Sequence, residues 1–173
     1  MAKNNLPFNF NDSKIEEIPG FLFIDHIAIS VCAGELENQV KNYQQMGFSI
    51  KHREEILGKD LVREVLLQVG ESPNLIQLIE PLSPESPVQK QIDKNNGRGG
   101  LAHVGLRVKS AKNAFDFFKK NNFRIIDDSP RPGSRGTIVF FLHPKSNYNS
   151  PLGVLYEVVE DPSDSHWFSI IIL

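Results

Sequence analysis

Four polar residues stand singly inside apolar, strand-like runs. His26 lies in "FLFIDHIAISV" (21–31) and His103 in "GLAHVGLRV" (100–108). Gln77 lies in "NLIQLIE" (74–80) and Glu157 in "GVLYEVVE" (153–160). Side chains alternate across a strand, so residues two apart share a face. His26 then shares its face with Ile24 and Ala28, and His103 with Leu101 and Gly105. Gln77 goes with Leu75 and Ile79, and Glu157 with Leu155 and Val159. Burying one such group without a partner costs roughly 1–3 kcal/mol or more. The four either satisfy one another or hold a divalent ion. Two neutral imidazoles, an amide oxygen and a carboxylate are intermediate-to-hard donors that suit Mn, Fe, Co, Ni or Zn. Four protein ligands leave octahedral positions for water or a bidentate substrate.

A lone strand histidine is more often a core residue bonded to backbone than a ligand. Two histidines in equivalent strands, each with a polar partner in a later strand, favour the metal. The remaining histidines lack such partners: His52 reads as strand surface, His143 as the start of the turn "HPKS", and His166 as part of the tail.

The elements that position these residues occur twice. After the strand at 21–31, Leu36, Val40 and Tyr43 follow the i, i+4, i+7 stripe of an amphipathic helix that Gly47 stops. Three strands are predicted next, at 48–55, 61–69 and 74–80, broken by Gly58-Lys59-Asp60 and Gly70-Glu71-Ser72-Pro73. "SPESPVQKQIDKNNGRGG" (83–100) reads as a linker carrying a short helix. Then a strand at 100–108 precedes a helix with Ala111, Phe115 and Phe118 on the same stripe. Strands at 123–128, 136–143 and 153–160 complete the second unit. Two tandem βαβββ modules predict an α+β fold. The expected organisation is an N-terminal arm over 1–20, one domain over 21–160 and a C-terminal tail over 161–173. Within the domain, module 1 covers 21–80, a linker 81–99 and module 2 100–160.

The chain has 173 residues, 40% hydrophobic and 23% charged, with a formal net charge of −2. That balance fits one globular domain and gives no basic surface for nucleic acid and no basic run for an anionic membrane. The single cysteine, Cys32, excludes an internal disulfide and reads as a small buried hydrophobe. No secretory signal and no apolar run long enough for a membrane span are seen, so the expected location is cytoplasmic. The tail "WFSIIIL" is apolar and β-prone and is expected to pack on the body or at a subunit interface.

Four stretches carry a family resemblance: "IDHIAISV", "HREEILGKDLVREVLL", "IQLIEPLSPESPVQKQIDKNNGRGGLAHVGLRV" and "GTIVFFLHPKSNYNSPLGVLYEVVE". In order and content the chain resembles the vicinal oxygen chelate (glyoxalase/dioxygenase) superfamily and, within it, the methylmalonyl-CoA epimerases. The resemblance implies two βαβββ modules closing a U-shaped mixed sheet around one divalent ion. Its ligands fall on His26, Gln77, His103 and Glu157, the residues already reached from strand parity. It places Co(II) first, with Mn, Ni, Zn or Fe(II) as other candidates, and it favours a homodimer. It also implies a catalytic base at Glu64. Read alone, Glu64 shares a face with Val62 and Leu66 but sits among charged neighbours, and an exposed strand glutamate is the plainer reading. Burial of that face predicts a raised pKa.

The implied reaction is epimerisation of a 2-methylmalonyl-CoA-type thioester. Glu64 takes the C2 proton, the ion stabilises the enolate, and Glu157, beside the metal, returns a proton on the other face. Where the family has two adjacent histidines this chain has Ala102-His103, and the loop before Glu64 is "ILGKDLVRE". These departures and the "SNYNS" insertion point to a divergent relative acting on another acyl thioester or small acid. Arg98, Arg131, Arg135 and Lys145 are generic candidates for phosphate contact. Alternatives on the same scaffold are a glyoxalase-type lyase, a ring-cleaving dioxygenase, which Gln77 disfavours, and a metal-free small-molecule-binding protein, which retention of all four ligand types disfavours.

Overall fold

A computed structural model describes residues 17–145 and 152–163. Most of the arm, the "SNYNS" insertion and the tail with His166 lie outside the described residues. The first module runs β1 (Phe21–Ser30), α1 (Leu36–Gln45), β2 (Phe48–Ile56), β3 (Val62–Val69), β4 (Leu75–Pro81). The linker carries α2 (Pro87–Lys94), started by Ser86, whose side chain accepts from Val88 N, and by Pro87 in the first turn. The second module runs β5 (Gly100–Val108), α3 (Ala111–Lys120), β6 (Arg131–Pro132), a short 3-10 turn (Ser134–Gly136), β7 (Ile138–Leu142) and β8 (Leu155–Glu160).

Among the described residues, eight strands form one curled mixed sheet in the order β2-β3-β4-β1-β5-β8-β7-β6. Each module pairs its first and last strands in parallel, β1 with β4 and β5 with β8. The antiparallel β1–β5 pair joins the modules. The repeat extends to the helix caps. Glu80, next to last in β4, accepts from the backbone N–H groups of Gly34 and Leu36 at the start of α1. Glu160, ending β8, accepts from Ala111 N at 2.7 Å at the start of α3. Each carboxylate sits where the helix dipole favours negative charge.

Apolar clusters lie beneath the two module helices. Leu36 and Val40 of α1 pack with Val65, Leu67 and Leu78. Phe115 and Phe118 of α3 pack with Phe140, Leu142 and Val158. The sheet's far ends also touch: Arg131 donates to both oxygens of Asp60, at 3.0 and 3.1 Å, and Arg135 N donates to Glu54 at 3.0 Å. Among the described residues, no helix is long and apolar enough to cross a membrane.

Two expectations are corrected. The strand predicted at 123–128 is reduced to a single bridge, Ile125 to Leu142. The Asp127 side chain accepts from Phe141 N at 2.9 Å, taking a donor that a continued strand would have used. The edge partner of β7 is instead the two-residue β6. Cys32 is half-buried rather than buried, and its thiol donates to Gly97 O at 3.3 Å.

Candidate metal centre and active site

The sheet register builds two neighbouring rows, two residues apart, that overlap at the β1–β5 seam. His26, Gly105 and Glu157 lie side by side across β1, β5 and β8. Gln77, Ala28 and His103 lie side by side across β4, β1 and β5. Each row carries a small residue in its middle, and the rows exchange under the module repeat: histidine for histidine, glycine for alanine, glutamate for glutamine. The small middle residue is a steric requirement. A Cβ on Gly105 would lie 2.5 Å from Cε1 of the His26 ring.

Three of the four expected ligands converge directly. His26 Nε2 lies 2.9 Å from His103 Nε2 and 3.1 Å from Glu157 Oε2, and His103 Nε2 lies 3.5 Å from the same oxygen. Gln77 faces the same cavity, of about 330 Å³, together with Glu64, His103 and Glu157. Its amide donates Nε2–H to Glu64 Oε2 at 2.7 Å, while its Oε1 is buried with no partner. An orphaned amide oxygen beside two imidazoles and a carboxylate is the donor set for an intermediate divalent cation. His26, His103 and Glu157 by themselves form a group able to hold a metal ion.

Asp25 orients this centre and sequence reasoning missed it. Its carboxylate accepts His26 Nδ1–H at 2.7 Å, which turns Nε2 toward the other ligands. It also accepts from Arg107 Nε at 2.9 Å and Arg135 Nη2 at 3.1 Å. Arg107 reaches on to Asp161 at 2.9 Å. Strict alternation would put Asp25 and His26 on opposite faces. A β-bulge between Ile24 and His26 breaks the alternation, and both side chains are buried. The available signal was an acid beside His26 and an arginine inside an apolar strand.

Electrostatics follow from burial and these partners. Burial opposes charge on His26, but the Asp25 hydrogen bond and then Glu157 outweigh it and raise its pKa to about 9. The site attracts positive charge to the point where the ligand tips meet. His103 moves down, chiefly by burial and also by the nearby His26 charge. Burial also works against charge on Glu157 and Asp25. Hydrogen bonds to His103 and His26 hold Glu157 well below the usual carboxylate range, and His26, Arg107 and Arg135 do so for Asp25.

Glu64 is 2% exposed, which overturns the plain reading of an exposed glutamate. It sits on β3 opposite Ile79 and next to Gln77. Burial raises its pKa, and the Glu157 charge adds to the rise. Two of the four cations named from the sequence are engaged internally: Arg131 with Asp60 and Asp127, and Arg135 with Asp25. Arg98 and Lys145 are exposed. His52 is half-buried and bonded to Glu54 at 3.0 Å.

Comparisons with known proteins agree with this architecture. Residues 25–141 match the family model of the Glyoxalase/Bleomycin resistance protein/Dioxygenase superfamily. The mitochondrial methylmalonyl-CoA epimerase of Dictyostelium discoideum is 38% identical over 92 residues, 53% of this chain and 52% of that protein. The match thus spans about half the length of that relative. The crystal structure of methylmalonyl-CoA epimerase from Mycobacterium tuberculosis superposes with a TM-score of 0.75 at 27% identity, covering 88% of this chain and 97% of that one. A methylmalonyl-CoA epimerase in complex with methylmalonyl-CoA and NH4+ gives a TM-score of 0.71 at 32% identity, covering 81% and 94%. With its paired βαβββ modules, its curled sheet and a family match over most of its length, the chain belongs to the Glyoxalase/Bleomycin resistance protein/Dioxygenase superfamily.

Proposed function

We propose that the chain is a metal-dependent epimerase of a 2-methylmalonyl-CoA-type thioester. The observation that carries this reading is the Glu64–Gln77 contact. A buried glutamate of raised pKa is bonded to an amide whose oxygen is left for a cation, and both line one cavity with His103 and Glu157. The substrate assignment draws on the similar epimerases, one of them in complex with methylmalonyl-CoA.

His26, Gln77, His103 and Glu157 would hold the ion, with Co(II) our first choice. A bound divalent ion supplies Lewis-acid stabilisation to oxygens that gain charge when C2 loses its proton. The chain's residues do the rest. Glu64 takes the C2 proton on one face, at a pKa shifted toward the operating pH. Glu157, itself held ionised by His103 and His26, would direct the water that returns a proton on the other. Val62, Ile79, Phe141 and Leu155 line the same space and keep the reacting centre dry. Asp25 fixes the orientation of His26. A cytoplasmic homodimer belongs to this reading, supported by the exposed apolar Ile27 and Leu101 on the central strands.

The test is incubation with racemic methylmalonyl-CoA and Co(II) in D₂O, followed by mass analysis. The wild-type chain is expected to add one deuterium at C2. Glu64→Gln is expected to retain metal and lose exchange by about 10²–10⁴-fold. Undiminished exchange in that variant removes Glu64 from the reaction.

A further inference from the structure

The two ends of the sheet meet at the turn between β6 and β7. Strand β2 stands at one end of the strand order and β6 at the other. In the turn, Arg135 takes φ +57°, a left-handed backbone that favours glycine. Its N–H donates to Glu54 Oε2 of β2 at 3.0 Å. Its side chain, 18% exposed, turns inward, and Nη2 donates to Asp25 Oδ2 at 3.1 Å. Its Nε is buried with no hydrogen-bond partner. An arginine in a glycine conformation, with an unsatisfied buried donor, is a costly choice for a connecting turn. Strain of that kind persists where it serves a site.

The service is to Asp25. Arg107 grips Oδ1 of that carboxylate, with Nε at 2.9 Å and Nη2 at 2.5 Å. A carboxylate gripped at one oxygen can pivot about it. The other oxygen, Oδ2, accepts both His26 Nδ1–H at 2.7 Å and the Arg135 guanidinium. Arg135 thus pins the oxygen against which the His26 ring is aligned. The contacts run without a break from Glu54 to Arg135, Asp25 and His26. Side-chain exposure falls along them from 39% at Glu54 to 18%, 1% and 2%. Resting on the metal-dependent reading above, we propose that Arg135 is a positioning residue that couples closure of the sheet to the metal centre. The hold of Glu54 on the turn places Arg135, Arg135 places Asp25, and Asp25 aims His26 Nε2. Affinity for the ion then depends on a half-exposed carboxylate of the edge strand. Neither Glu54 nor Arg135 offers the ion a donor in this scheme. They act through Asp25.

The test is Co(II) binding by the full chain, read by competition with a chelating dye and by the visible absorption of the cobalt complex. Glycine suits the left-handed backbone at 135, so Arg135→Gly keeps the turn and removes the guanidinium. It is expected to raise the Kd for Co(II) about tenfold and to change the cobalt absorption, because His26 loses its alignment. Glu54→Ala is expected to raise the Kd about threefold. Glu54→Gln keeps an acceptor for Arg135 N and is expected to bind as the wild type does. In the Arg135→Gly background, Glu54→Ala is expected to add no further loss, because the two residues act along one path. An unchanged Kd in Arg135→Gly or Glu54→Ala, additive losses in the double variant, or equal losses in Glu54→Gln and Glu54→Ala overturn the coupling and leave the metal centre standing. A wild-type chain that binds no Co(II) overturns both.

Discussion

At the scale of single residues, the site depends on groups buried where water cannot serve them. Asp25 is the clearest case, since it serves His26, Arg107 and Arg135 at once. Asp25→Asn keeps the shape but removes the charge. It is expected to weaken metal binding by about 10–100-fold, measured by competition with a chelating dye. Asp25→Ala also takes one of two carboxylate partners from Arg107, 5% exposed, which keeps Asp161, and is expected to cost roughly 1–3 kcal/mol in chemical denaturation. The four candidate ligands were legible because each interrupts an apolar strand and recurs with the repeat. Glu64 was not, because Arg63 and Glu55 flank it with charge and its burial comes from other strands closing over β3. Asp25 was hidden by the bulge: alternation is a local rule, and one extra residue cancels it.

At the scale of elements, glycines fix how closely strands and rings approach. Gly105→Ala is expected to drive the His26 ring from its place. Metal binding should be lost, with stability falling by about 1–3 kcal/mol by thermal or urea unfolding. Ser110→Ala removes the α3 N-cap that accepts from Asn113 N. It is expected to cost about 1 kcal/mol while leaving metal affinity unchanged, which separates general destabilisation from damage to the centre. Both module helices and seven of the eight strands lie where apolar periodicity puts them. The segment at 123–128 does not, because its apolar residues suit a strand but Asp127 spends its side chain on the backbone of β7. Such side-chain capture depends on a partner distant in sequence and leaves no periodic trace.

At the scale of the whole molecule, the proposed ion, shared by both halves of the sheet, would tie their stabilities together. Removing metal with a chelator is expected to lower the melting temperature of the wild-type chain. An ion at 100 times its Kd contributes about 2.7 kcal/mol, and the shift should vanish in His26→Ala and His103→Ala. The overlapping rows carry a further consequence. One half of the chain owns His26 and Gln77, the other His103 and Glu157, and neither pair alone is a chelate of useful strength. Severed near Asn96, the two fragments would each be blind to cobalt, and the violet colour of a cobalt complex would emerge only on mixing. Such a titration would report reassembly of the halves.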